Sequence, residues 1–135
     1  AGTPPITQAI GLAAAVEYLE NLGIKKIAEH DLGLGTYALD KLKAMDSLDF
    51  LSPKPVPGPL VSFNCKGIHA HDVADLMGES GVALRAGHHC CQPLMKKCGV
   101  PGTLRASWFV YNTFEDIDRF CENLIEVMGF FKKIS

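Results

Sequence analysis

The sequence predicts an α+β fold, with helices packed on a small mixed or antiparallel sheet. Three observations carry that expectation. Long segments near both ends repeat apolar residues at three- and four-residue steps, the spacing of one helical face. Between them lie short β-prone runs bounded by Gly and Pro. The order of these signals is helix, helix, strand, strand, helix, strand, short helix, strand, helix, so strands are few and helices dominate. A chain of 135 residues, 47% of them hydrophobic, suits one domain with its own core.

The elements follow in order. Thr3-Pro4-Pro5 is an extended lead-in. A helix is predicted over Ile6–Leu22, with Ile6, Ile10, Ala13, Ala14, Val16, Leu19 and Leu22 in its pattern and Gly23 as its C-terminal cap. It has no strongly charged first half, so it is expected to be packed on both sides. A second helical signal covers Ile24 to Met45, with Ile27, Leu34, Leu39 and Leu42 as core positions. Gly33 and Gly35 weaken its middle and predict a kink or a break. His30, among charged neighbours, reads as a surface histidine. Leu48–Leu51 is a short strand. Ser52 to Pro59 holds Pro53, Pro55, Pro57 and Pro59 and reads as an irregular connector, too short to separate two domains.

Leu60–Cys65 is the most β-prone run, with Cys65 structural at its end. After the Lys66-Gly67 turn, a helix starts at His71 and runs through Met77, bracketed by Gly78 and Gly81. His69 and His71 are its entry residues. Val82–Arg85 is the next strand. Leu94–Cys98 is a short helix ending at Gly99, and Val100-Pro101-Gly102 turns the chain into a strand over Thr103–Trp108. Thr113 and Asp116 form an N-cap signature for a last helix from Phe114 to Phe131. Its buried stripe is expected to hold Ile117, Phe120, Cys121, Leu124, Ile125 and Met128. No internal repeat is visible.

Composition removes several function classes. A formal net charge of -2 gives no basic footprint for nucleic acid. No apolar run reaches the length that spans a membrane, and no basic-then-apolar leader supports secretion. The five cysteines are an odd count without a Cys-x-x-Cys pair. A reducing compartment such as the cytoplasm is expected, not a disulfide scaffold. The chain opens Ala1-Gly2-Thr3-Pro4 rather than on Met, and the expectation is of a piece of a longer protein.

Chemistry concentrates in Arg85-Ala86-Gly87-His88-His89-Cys90-Cys91-Gln92-Pro93. Pro93 fits the first turn of a helix, where its missing N–H costs nothing. A Cys on such a turn, beside His and Arg, is where a lowered thiol pKa and a nucleophilic sulfur are expected. A small buried hydrophobe is the plain alternative for any Cys. Arg105, embedded in a short strand, needs an anionic partner or an open cleft. A guanidinium fork matches a carboxylate bidentately. Two arginines around one thiol fit an anionic small substrate, while two structural salt bridges with nearby acids are the plainer account of them. His88, His89, Cys90 and Cys91 are all legal zinc ligands. Four consecutive residues cannot all reach one tetrahedral ion, however, and no second cluster has ligand spacing, so no metal site is assigned.

The motifs together resemble a known family. Residues 85–90, then Gln92-Pro93-Leu94-Met95, Val100–Ser107 and Tyr111-Asn112-Thr113, are similar to the C-terminal part of cysteine desulfurases. More narrowly, they resemble the group-II, SUF-system type that also acts as a selenocysteine lyase. Val61–Asn64, Gly67-Ile68-His69, His71-Asp72-Val73 and the opening Ala1-Gly2-Thr3-Pro4 match as well, so the resemblance covers essentially the whole chain.

The resemblance implies a fold-type I, pyridoxal 5'-phosphate-dependent homodimer that takes sulfur from L-cysteine for iron–sulfur cluster assembly, leaves L-alanine and hands the sulfur to an acceptor protein. It implies Cys90, not Cys91, as the nucleophile that becomes a persulfide. Arg105 would clamp the substrate carboxylate, with Arg85 and His89 in the same pocket. Gly2 and Thr3 would reach the cofactor phosphate of the partner subunit. The family's Schiff-base lysine lies upstream of the Gly-Thr-Pro segment, and Lys66, Lys96 and Lys97 sit in no matching motif. Residues 1–135 are thus expected to be the C-terminal small domain with its leading helices, inactive without the large domain. A sulfur-carrier or docking module without enzyme activity and a metal-binding domain are the alternatives. Cys91, an adjacent thiol, is positioned to compete for oxidation or for persulfide transfer.

Overall fold

The computed structural model describes residues 2–51 and 57–134. Its elements are α1 (Ile6–Leu22), α2 (Ile24–Lys43), β1 (Leu48–Phe50), β2 (Leu60–Cys65), α3 (Ala70–Glu79), β3 (Arg85–Gly87), α4 (Gln92–Cys98), β4 (Thr103–Ser107) and α5 (Phe114–Ile134). The strands form one sheet in the order β1-β2-β4-β3, and every neighbouring pair is antiparallel. The α+β class and the order of elements match the sequence reading, and the sheet is antiparallel, not mixed.

Alternation along β2 divides the sheet into two faces. Val61, Phe63 and Cys65 are buried, while Leu60, Ser62 and Asn64 point the other way. Phe63 pairs with Leu104 of β4, which pairs in turn with Ala86 of β3, so the apolar row continues across the sheet. Phe63 of β2, Leu34 and Leu42 of α2, Val73 and Met77 of α3, Leu104 of β4 and Leu124 of α5 are fully buried in one core. Phe63 meets Phe120 edge to face at 6.2 Å. Burial pushes the Cys65 and Cys121 thiols up to about 11, which keeps them protonated and inert. Tyr37 donates a 2.7 Å bond to Asp118 Oδ1, which also receives Lys41 Nζ at 2.7 Å. The Lys41 bond first, and then the Tyr37 bond, hold the Asp118 carboxyl below its usual range and tie α2 to α5.

The helix ends follow their capping residues. Asp116 N–H donates to Thr113 Oγ1 at 3.3 Å and Thr113 N–H to Asp116 Oδ2 at 2.9 Å, a reciprocal box that starts α5. His69 accepts at Nδ1 from the His71 N–H at the start of α3. Pro93 lies in the first turn of α4, and Gly99 closes that helix with φ 70°.

Several expectations change. Gly33 and Gly35 do not break α2, which runs from Ile24 to Lys43. Gly35 is buried there because a Cβ would run into the Gly58 backbone, so its small size serves a close approach. α1 has no buried residue, and Ile6, Ile10, Val16 and Tyr18 are all exposed. It is not packed on both sides, because the described residues supply no element to cover it. Ile27 lies outside the core and Ala38 takes a core place beside Leu39. On α5, Ile125 faces out at 54% exposure and Val127 is buried instead. His30 is half-buried, its Nε2 3.0 Å from the Asn112 carbonyl oxygen.

The Val82–Arg85 strand shifts to Arg85–Gly87. The Val82 N–H is taken by the Met77 carbonyl at 2.9 Å, with Gly81 at φ 78° turning the chain out of α3, so Val82 cannot enter the sheet. β1, α3, α4, β4 and α5 differ from the expected bounds only at their ends. Of the proline-rich connector, residues 52–56 lie outside the described residues.

Phe63→Ala should lower the unfolding free energy by about 3–5 kcal/mol, from lost burial and the cavity left behind. Gly35→Ala should cost about 1–3 kcal/mol, as an overpacked contact against rigid backbone. Urea unfolding followed by circular dichroism measures both.

Candidate active site

The ends of three strands converge on one cavity of about 480 Å³. Asn64 and Cys65 close β2, Arg85–Gly87 is all of β3, and Gly102 leads into β4. His69 and His71 contribute from the start of α3, and His88, His89 and Cys90 from the turn after β3. The structure thus brings Arg85, His89 and Cys90 together in one cavity wall.

The turn is unusual for its residue types. His89 has φ 53° and Cys90 φ 57°, and the His88 carbonyl accepts a 2.8 Å bond from the Cys91 N–H. Two consecutive left-handed residues under such a bond are normally Gly, Asn or Asp. Holding His and Cys there costs about 1–3 kcal/mol each, a strain that surrounding contacts must enforce. His89 supplies the anchor. Its Nε2 is 3.1 Å from the Thr103 carbonyl oxygen and 2.9 Å from Thr103 Oγ1. A carbonyl only accepts, so Nε2 carries the proton and the neutral ring offers Nδ1 as an acceptor. Cys90 is left exposed at the tip of the turn, with Arg85 Nη2 4.0 Å from its Sγ.

Arg105 is not part of the cavity wall, but it stands directly opposite Arg85 in the β3–β4 register and opposite Ser62 in the β2–β4 register. Residues directly opposite share a face, and like charges so placed repel. The Arg105 Nε and His89 Nδ1 are buried and without a partner among the described residues. A buried donor on a strand whose neighbour carries a second arginine in register suits an anion that bonds both. Burial first, and then the positive charges of Arg105, Arg85 and His88, hold the His89 pKa below its ordinary value, against the Thr103 bond that raises it.

Other walls were not singled out by the sequence. The His69 and His71 rings stack at 5.2 Å, and the His71 ring lies 3.7 Å from where a Gly87 Cβ would stand. They are entry residues of α3 as expected, and they also line the cavity. Lys66 lines it too, with Nζ donating to the Asp46 carbonyl at 2.8 Å and 3.8 Å from Asp49 Oδ1. Thr103, the partner of His89, lies in the Val100–Ser107 motif without an assigned role, since only the fold brings it near His89. Gly102 packs on the Gly87 backbone, about 3.0 Å from where its Cβ would be, so a larger residue there would push the turn away. Gly2 and Thr3 are exposed before α1 and do not line this cavity. Among the described residues, no three His, Cys, Asp or Glu side chains gather as a metal site.

Comparison with known proteins adds the following. A family model, Aminotransferase class-V, matches residues 1–120. A probable cysteine desulfurase of Staphylococcus epidermidis is 48% identical over 132 residues, which are 97% of this chain and 32% of that protein. A cysteine desulfurase of Haloferax volcanii is 46% identical over 88% of this chain and 28% of its own length. The chain therefore spans about a third of the length of the curated relatives it matches. The solved structure of the cysteine desulfurase CsdA (S-sulfonic acid) from Escherichia coli superposes with a TM-score of 0.87 at 36% identity, over 96% of this chain and 32% of that one. The apo structure of the Thermococcus onnurineus cysteine desulfurase gives 0.89 at 37% identity, over 96% and 33%.

The depressed His89 pKa has a consequence for stability. The folded state favours the neutral ring, so this contribution is complete above the ordinary value of 6.5 and is lost as pH falls through the lowered folded value. Urea unfolding at about pH 7.5 and about pH 5.5 should show the wild type losing more stability on acidification than His89→Gln.

Proposed function

The chain belongs to the aminotransferase class-V family, and we propose that it is the C-terminal small domain, with its leading helices, of a pyridoxal-phosphate-dependent cysteine desulfurase. One observation carries the reading: two arginines in register beside an exposed thiol, with a buried guanidinium donor left open. An amino acid that presents a carboxylate to the arginines and a sulfur to the thiol satisfies both. L-cysteine has that form. The S. epidermidis, H. volcanii and E. coli relatives, all desulfurases, support the same substrate.

This chain's residues would then divide the work. Arg105 binds the substrate carboxylate through its open Nε and terminal nitrogens, and Arg85 shares that anion and keeps a positive charge by Cys90. The neutral His89 fixes the turn through Thr103 and turns its Nδ1 lone pair inward as an acceptor. Cys90 Sγ attacks the substrate sulfur and retains it as a persulfide, leaving L-alanine. Pyridoxal phosphate, when bound, supplies the electron sink that weakens the substrate's carbon–sulfur bond. The cavity fits the substrate end of that chemistry; the lysine that lines it among the described residues, Lys66, donates to the Asp46 carbonyl and lies near Asp49.

The exposed apolar residues of α1 support a larger body of protein covering that helix. Gly2 and Thr3, outside the cavity, are assigned to the cofactor phosphate of the second subunit of a homodimer. The 85–95 motif supports the group-II type, with a selenocysteine lyase side activity, an acceptor protein and iron–sulfur cluster assembly as the destination of the sulfur. Five free cysteines fit a reducing compartment such as the cytoplasm. No helix among the described residues is long and apolar enough to cross a membrane.

In the complete protein with pyridoxal phosphate, Cys90→Ala should abolish turnover of L-cysteine. Arg105→Ala should lower kcat/KM by about 10- to 150-fold, mainly through KM, as lost charge-assisted bonds require. Alanine release over time measures both. Unchanged turnover by Cys90→Ala would remove the assignment.

A further inference from the structure

Cys90 and Cys91 are consecutive exposed thiols, but they do not occupy equivalent places. Cys90 is part of the cavity wall beside Arg85, His88 and His89, whereas Cys91 is not. The 2.8 Å bond from the Cys91 N–H to the His88 carbonyl, with both intervening residues left-handed, closes the turn on Cys91 and sets it at the start of α4. Cys98, also exposed, ends α4 about 10 Å further along the helix axis, too far to share chemistry with the turn. The turn therefore carries one thiol lining the cavity and a second, adjacent in sequence, outside it.

We propose that Cys91 is a second sulfur station, which takes the sulfane sulfur from Cys90 and presents it on the outer surface to a thiol acceptor. The proposal rests on Cys90 being the persulfide-forming nucleophile. The Cys91 thiolate attacks the terminal sulfur of the Cys90 persulfide. The bond between Cys90 Sγ and that sulfur breaks, and a bond to Cys91 Sγ forms. Cys90 leaves as a thiolate and the terminal sulfur keeps its proton. One sulfur–sulfur bond replaces another, so no oxidant or reductant is consumed.

Attack on the inner sulfur would instead join Cys90 to Cys91 as a disulfide and expel hydrosulfide. Geometry disfavours that path. Consecutive Cα atoms are about 3.8 Å apart, while disulfides prefer about 4.4–6.8 Å. Attack on the outer sulfur lengthens the bridge by one atom and escapes the constraint. Cys90 is then free as a thiolate for the next substrate while the first sulfur awaits collection, which separates loading from delivery.

Sulfur mapping in the complete enzyme tests the relay. The enzyme is given a short pulse of L-cysteine, then freed of it, alkylated at intervals and digested with trypsin. Residues 86–96 emerge as one segment, and fragment ions between positions 90 and 91 locate any added sulfur. The wild type should carry sulfur at both thiols, with the share on Cys91 rising during the chase and none on Cys98. Cys91→Ala should hold it on Cys90 alone, and Cys90→Ala should load neither. Sulfur confined to Cys90 in the wild type overturns the relay, as does a segment two hydrogens lighter with hydrosulfide released. Loading of Cys91 in Cys90→Ala overturns the relay and the choice of nucleophile together. No sulfur on either thiol of the wild type defeats the desulfurase reading itself.

Discussion

Two guanidinium groups stand directly across from one another on neighbouring strands, and much of the site follows from that placement. Arg85 and Arg105 are in register, on the face of the sheet turned away from the core. Side by side without an anion they repel, and the arrangement persists because the apolar row beneath them, Ala86 and Leu104 against Phe63, is fixed by burial. The core thus holds a charge arrangement that a bound carboxylate would complete. Packing energy on one face of the sheet thus fixes the charge arrangement on the other.

The turn that carries Cys90 depends on the same sheet. Its two left-handed residues are not ones that favour such backbone, so the conformation has to be imposed. The imposing contacts come from several sides: Thr103 grips the His89 ring, Gly102 packs on the Gly87 backbone, and α4 begins immediately after the turn. Burial and neighbouring positive charge keep His89 neutral, so its ring acts as a hydrogen-bonding strut and adds no third cation to the arginines. Cys90 ends up presented and Cys65 and Cys121 end up inert for opposite reasons, exposure at a strained tip and desolvation in the core.

α1 shows the limits of one chain's packing. Its Ile6, Ile10, Leu12 and Val16 would serve a buried helix, but they are exposed among the described residues. A helix of that composition gains most of its stability from tertiary packing and not from propensity. The chain spans about a third of the length of the relatives it matches.

The sequence alone determined what depends on local chemistry. Apolar periodicity set α1, α2 and α5 in place, β-prone alternation set β2 to the residue, and Thr113 with Asp116 marked the start of α5. The crowding of Arg85, His89 and Cys90 in six consecutive residues made the candidate site legible before any fold was known. Tertiary structure decided what depends on distant partners. It let α2 run through two glycines, because Gly35 meets the Gly58 backbone, and it moved β3 onto Arg85, because Met77 claims the Val82 N–H. It also placed Arg105 opposite Arg85, Thr103 under His89, and His69 and His71 in the cavity wall. Each of those contacts joins residues that are separated in sequence, and only the free energy of burying the whole core chooses among such pairings.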